Sequence, residues 1–140
     1  MTRAAFTLES LGFGLLAALV AGGFVAANDG GERYLPWLLA LVAAVAAAPV
    51  WALVQDRERA VHPGLSALAG TLAVVGAYGL GALSFAAMAV FDAAMPPETA
   101  IGGALGFAFF GLLLTGIITL PLGVGFAVAY GALTKLWRKS

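Results

Sequence analysis

The chain has no cysteine, which excludes disulfides, thiolate metal sites and a cysteine nucleophile. Its one histidine, His62, also rules out a haem or metal held by two imidazoles of a single chain. Charge is scarce: 7 basic and 7 acidic residues make up 10% of 140 positions, against about 25% in an ordinary soluble domain. A net charge of zero provides no overall field to recruit nucleic acid or an acidic substrate, so no nucleic-acid partner is expected. The remaining residues offer no nucleophile beside a base, no glycine-rich phosphate loop and no metal-ligand cluster. These absences argue against an enzyme, and no cofactor is expected.

What the chain does have is apolar. Hydrophobic residues make up 62% of it and the mean hydropathy is +1.01. Crossing the hydrocarbon core takes about 20 apolar residues, and four stretches free of Asp, Glu, Lys and Arg are long enough: Ser10–Asn28, Tyr34–Gln55, Ala60–Phe91 and Thr99–Thr134. The segments between them, "NDGGER", "QDRERAVHPG" and "DAAMPPE", carry the charges, glycines and prolines of short exposed turns. The expected fold is an all-α integral membrane protein, a single four-helix transmembrane bundle of two hairpins. Its helices should cover about residues 5–27, 35–54, 64–91 and 98–134. The first span also has the outline of a secretory signal peptide, with Arg3 before an apolar run ending in Val25–Ala27. Glu9 spoils its basic start and the run is long for such a leader, so cleavage is not expected.

Orientation follows from the basic residues, which short cytoplasmic loops accumulate. Arg3, Arg57, Arg59, Lys135, Arg138 and Lys139 fall on one side of the spans, and Arg33 alone falls on the other. Both termini and the central loop are therefore expected in the cytoplasm, in a multi-pass protein of the cell membrane. Aromatic residues at the span ends, Tyr34, Trp37, Trp51 and Trp137, read as interfacial anchors.

Small residues recur at a spacing of four: Gly14, Ala18 and Gly22; Ala40, Ala44 and Ala48; Ala69, Ala73, Ala77 and Gly81; Gly102 and Gly106; Gly123, Ala127 and Gly131. Such stripes let membrane helices approach closely, because lipid supplies no hydrophobic drive for association. Besides the lipid bilayer, the stripes make a homo-oligomer or another membrane protein the expected partner.

Pro121 stands inside the longest uncharged stretch. A continuous helix from Ala100 to Thr134 would measure about 52 Å against a hydrocarbon core of about 30 Å, so helix 4 is expected to kink near Pro121. A re-entrant segment over residues 122–130 is the alternative. Thr115 and Thr119 stand within a turn of the carbonyl that the proline orphans.

No ionisable residue sits centrally in any span, which argues against a proton-coupled transporter or an ion pump. Glu9 reads either as a first-turn acid favoured by the helix dipole or as a buried acid paired with Arg57 or Arg59. His62, in "HPG", reads as the turn entering helix 3. Tyr78, Ser84, Thr115 and Thr119, with Thr71 and Tyr130, either line an uncharged path or bond neighbouring helices and backbone. The expected function is that of a non-enzymatic accessory, scaffold or oligomeric subunit, the alternative being a small channel or carrier for uncharged or weakly polar solutes. For the orientation, cysteines introduced as Asp29→Cys and Asp92→Cys should react with an impermeant thiol reagent in intact cells, and one introduced as Arg59→Cys should not. Labelling at position 59 alone would reverse the topology.

Overall fold

The computed structural model describes residues 2–28, 35–55 and 61–140. Four helices account for nearly all of them: α1 (Arg3–Asn28), α2 (Leu35–Val54), α3 (Pro63–Asp92) and α4 (Pro97–Lys139). No strand occurs among the described residues. Each helix is long and apolar enough to cross a membrane, and a helix suits that setting because it satisfies its own backbone N–H and C=O groups where no water can.

Local chemistry sets the helix starts. His62 caps α3, its Nδ1 accepting from the backbone N–H of Gly64 at 3.2 Å, and Pro63 follows at the first helical position, where its missing N–H costs nothing. α4 likewise has a proline, Pro97, at its first helical position, but its N-cap Pro96 makes no side-chain cap bond. Between α3 and α4 the chain reverses in four residues, with Ala94 in the left-handed region at φ 50° and the Met95 N–H donating to the Ala89 carbonyl at 3.2 Å. At its far end α4 runs five residues past its expected limit of 134, to Lys139. Arg138 and Lys139 in this last turn suit the negative end of the helix dipole.

α4 stays helical through Pro121, so any bend there lies within one helix, and residues 122–130 continue it instead of forming a separate re-entrant segment. α2 likewise runs through Pro49. At 43 residues α4 is about 64 Å long, more than a bilayer of about 40–45 Å with its headgroups, a difference that tilt, bending or projection beyond the lipid has to absorb.

The packing is inverted relative to a water-soluble bundle. Large apolar side chains face outward, among them Leu8, Leu11, Leu15 and Leu19 along one face of α1 and Leu114 and Ile117 on α4. The buried core is mostly alanine: Ala47, Ala69, Ala73 and Ala127 inside one cluster, Ala82, Ala86, Ala100 and Ala104 in another. Most of the small-residue stripes meet one another. A Cβ added to Gly14 would stand 3.0 Å from the Ala48 Cβ, and one on Gly22 would stand 3.1 Å from the Ala40 Cβ, so these glycines let α1 lie directly on α2. Gly70 of α3 faces Gly123 and Ala127 of α4 in the same manner. Gly102 departs from the expected pattern. It has open space where a Cβ would project, because Ala100 and Ala104, on a different face of α4, make the contact with α3.

Helices α1–α2, α2–α3 and α3–α4 pack along their neighbours, whereas α1 and α4 meet only sparingly. The bundle is therefore a ring with one weak seam. The two glycine environments predict opposite outcomes in detergent unfolding. Gly70→Ala, whose Cβ would lie 2.5 Å from the Gly123 carbonyl oxygen, should lose about 1–3 kcal/mol. Gly102→Ala, in open space, should be neutral or gain up to about 1 kcal/mol from helix propensity.

Candidate functional site

Among the described residues the buried polar side chains are Glu9, Ser10, Gln55, Ser66 and Thr134. They come from the start of α1, the end of α2, the start of α3 and the end of α4, so all gather at the end of the bundle that carries both termini. Gln55 Nε2 donates to Ser66 Oγ at 3.1 Å, and Ser66 Oγ donates to the His62 carbonyl at 3.3 Å. Gly131 passes over Ser66 with no room for a Cβ.

Glu9 is the centre of this end, 1% exposed. Arg138 grips its carboxylate with two parallel bonds, Nε to Oε2 at 3.0 Å and Nη2 to Oε1 at 2.8 Å. Trp51 Nε1 donates to the same Oε1 at 3.0 Å, and the Tyr130 hydroxyl donates to the Glu9 backbone carbonyl at 2.6 Å. The fork geometry matters, because a buried carboxylate needs several donors to offset its lost hydration. Phe13 stacks on Trp51 with ring centroids 4.5 Å apart, Tyr130 meets Trp51 edge-on at 5.1 Å, and the Arg138 guanidinium lies 5.9 Å from the Phe6 ring centre. Gly12 leaves the space that the Tyr130 hydroxyl occupies.

Above this clasp lies a cavity of about 300 Å³ reached by all four helices. Phe13 lies at its clasp end, and its walls are almost wholly apolar. Phe24, Phe107, Leu122 and Phe126 line it yet remain 40–66% exposed, so the cavity opens along the seam where α1 and α4 fail to close. Three hydroxyls interrupt the apolar wall. Tyr78 pairs with Thr115 and lies 3.4 Å from Thr119 Oγ1, and both threonines also donate back into α4, Thr115 to the Gly111 carbonyl at 2.7 Å and Thr119 to the Thr115 carbonyl at 3.1 Å.

The structure thus joins Tyr78, Thr115 and Thr119 across α3 and α4. It does not join Ser84 to them: that hydroxyl donates to Leu80 of its own helix at 2.9 Å, as Thr71 does to Ala67 at 3.0 Å. Glu9 is a buried acid in the second turn of α1 and not a first-turn surface acid. Its partner is Arg138, 129 positions away; Arg57 and Arg59 lie outside the described residues. Trp51 is no lipid-facing anchor, since it is 0% exposed and turned into the clasp, while Trp37 and Trp137 are exposed as anchors are. The pairing with Arg138 had a signal in the sequence: two hairpins return the basic tail beside the first turns of α1.

Four apolar spans, a small-residue interior and a large-residue exterior define the class, a multi-pass all-α membrane protein. No family model matches the chain, and no curated protein and no solved structure matches it either.

The clasp makes a prediction of its own. Glu9→Gln leaves Arg138 facing a neutral amide and should cost about 3 kcal/mol in detergent unfolding. Arg138→Gln should cost a similar amount. The double variant should be clearly less unstable than the two losses added together, since each single change already breaks the same unit.

Proposed function

We propose that this protein is a non-enzymatic accessory or scaffold protein of the cell membrane, acting within an oligomer or beside another membrane protein, and that it works by holding a hydrophobic partner in the α1–α4 cleft. The observation that supports this reading is the shape of the cleft. It is open sideways along a weak seam and stopped at the terminus-bearing end by Phe13, Trp51 and the Glu9–Arg138 pair. A binding recess needs one opening, whereas a solute path needs two.

A carrier for uncharged or weakly polar solutes is the second reading, and the hydroxyls of Tyr78, Thr115 and Thr119 on the wall are what favour it. Against it stand the surrounding apolar lining and the use of each threonine hydroxyl by backbone of its own helix. With both termini in the cytoplasm, the stopped end would face inward, consistent with a protein that binds from the membrane and does not conduct.

Two measurements separate the readings. Purification in a mild detergent followed by mass spectrometry should recover a defined oligomer or a co-purifying membrane protein, and liposomes containing the protein should release small neutral solutes no faster than empty ones. A clean monomer with no companion counts against the accessory role. Selective solute release that Tyr78→Phe weakens would establish the carrier.

A further inference from the structure

The space enclosed between the helices is narrow. Its lining on α1 runs from Phe13 to Val25, about 18 Å of helix rise, so its volume of about 300 Å³ averages roughly 17 Å² in section. A hydrocarbon chain, about 4 Å across at carbon contact distance, fits. Left empty, the apolar walls would forgo their van der Waals contacts, and at membrane depth a gap between two helices opens onto lipid.

The hydroxyl cluster narrows the occupant further. Each threonine hydroxyl has one proton, and Thr115 and Thr119 both spend theirs on backbone carbonyls. Tyr78 must then be the donor in its bond to Thr115. All three protons are used, and what the cluster still offers the cavity is acceptor lone pairs on Tyr78 and Thr119. An ester, ketone or phosphate oxygen finds no donor here, whereas an alcohol O–H finds an acceptor. Position agrees with this. Thr115 lies 15 residues along α4 from Tyr130, about 22 Å from the level of the clasp, so a hydroxyl held by the cluster would send its chain down the cavity toward Phe13.

We propose that the cavity binds a single-hydroxyl lipid, a long-chain alcohol in chemical class, with its O–H donated to the Tyr78–Thr119 cluster and its hydrocarbon chain lying between α1 and α4 down to Phe13. This rests on the reading of the cleft as a binding recess and names what fills it. Its test is independent of any protein partner.

Trp51 provides the readout because it stacks on Phe13 at the cavity floor and is shielded from bulk lipid. With Trp37→Phe and Trp137→Phe, Trp51 is the only tryptophan, and bromine on a chain quenches it only near contact. The protein in lipid vesicles is titrated with octadecanol brominated at its chain end, and separately with the methyl ester of the equally brominated octadecanoic acid. Expected is saturable quenching by the alcohol at a mole fraction about tenfold below that for the ester, the worth of one hydrogen bond. Tyr78→Phe combined with Thr119→Val should remove the difference between the two while keeping the quenching, and Ala77→Phe, which fills the wall, should remove the saturable part. Quenching that only rises in proportion to bromolipid, or none at all as when a protein segment occupies the cleft, overturns the proposal. Equal saturable quenching by alcohol and ester overturns the assignment of the hydroxyl. The alcohol–ester comparison needs no cavity variant, so it stands even if Ala77→Phe does not fold.

Discussion

A carboxylate withdrawn from water has to be surrounded by donors, and in this bundle that requirement organises the closed end. Arg138 of α4 and Trp51 of α2 donate to the carboxylate, Tyr130 of α4 donates to the Glu9 backbone carbonyl, and together they tie α1 to two other helices. Because α1 and α4 barely meet along the rest of their length, the bonds at Glu9 are what close the ring of helices. The cost of burying the charge is offset only when the fork of Arg138 and the indole N–H are both in place, so the interaction also selects one register for the C-terminal end of α4.

The same contacts explain why a cavity exists. Glycine and alanine bring α1 onto α2 and α3 onto α4 until backbones nearly touch. Tight hairpins joined firmly at one end and loosely elsewhere leave a wedge of space along the remaining seam. Helix association in lipid depends on close packing and on polar contacts, and this protein uses both, with the Tyr78–Thr115 pair as a polar contact inside the α3–α4 hairpin. Close packing brings the hairpins together, and polar contacts hold the terminus-bearing end.

Much of this was legible in the sequence. Length and composition determine the four spans, since an uncharged apolar stretch of about 20 residues has little alternative but to cross a bilayer as a helix. Pro63 and the Pro96-Pro97 pair mark two helix starts within a residue of where they lie, because proline's effect on the backbone is local. The stripes of small residues marked the faces by which α1 meets α2, because spacing along a helix translates directly into a face, whereas the α3 glycine that meets Gly123 of α4 is Gly70, outside the stripes. Gly102 shows where that reasoning stops: a stripe says which residues permit close approach, and only the partner helix decides which stripe is used.

Side-chain partners across long separations were decided by tertiary structure alone. Glu9 stood out as an acid in apolar surroundings, but whether it met lipid headgroups, a loop arginine or the C-terminal tail depends on helix rotation, which composition does not set. Trp51 illustrates the same point, since its position in the sequence fits an interfacial anchor and its rotation about α2 makes it a core residue instead. Tyr78, Thr115 and Thr119 were separately visible as polar residues at membrane depth, and it is the packing of α3 on α4 that makes them one cluster while leaving Ser84 outside it. The sequence by itself determined that the chain crosses the membrane four times and which residues are small enough for helices to meet, because both follow from local hydropathy and periodicity. The clasp, the cluster and the cavity follow from how four nearly uniform apolar helices rotate against one another, a choice governed by a few buried hydrogen bonds and the volumes that surround them.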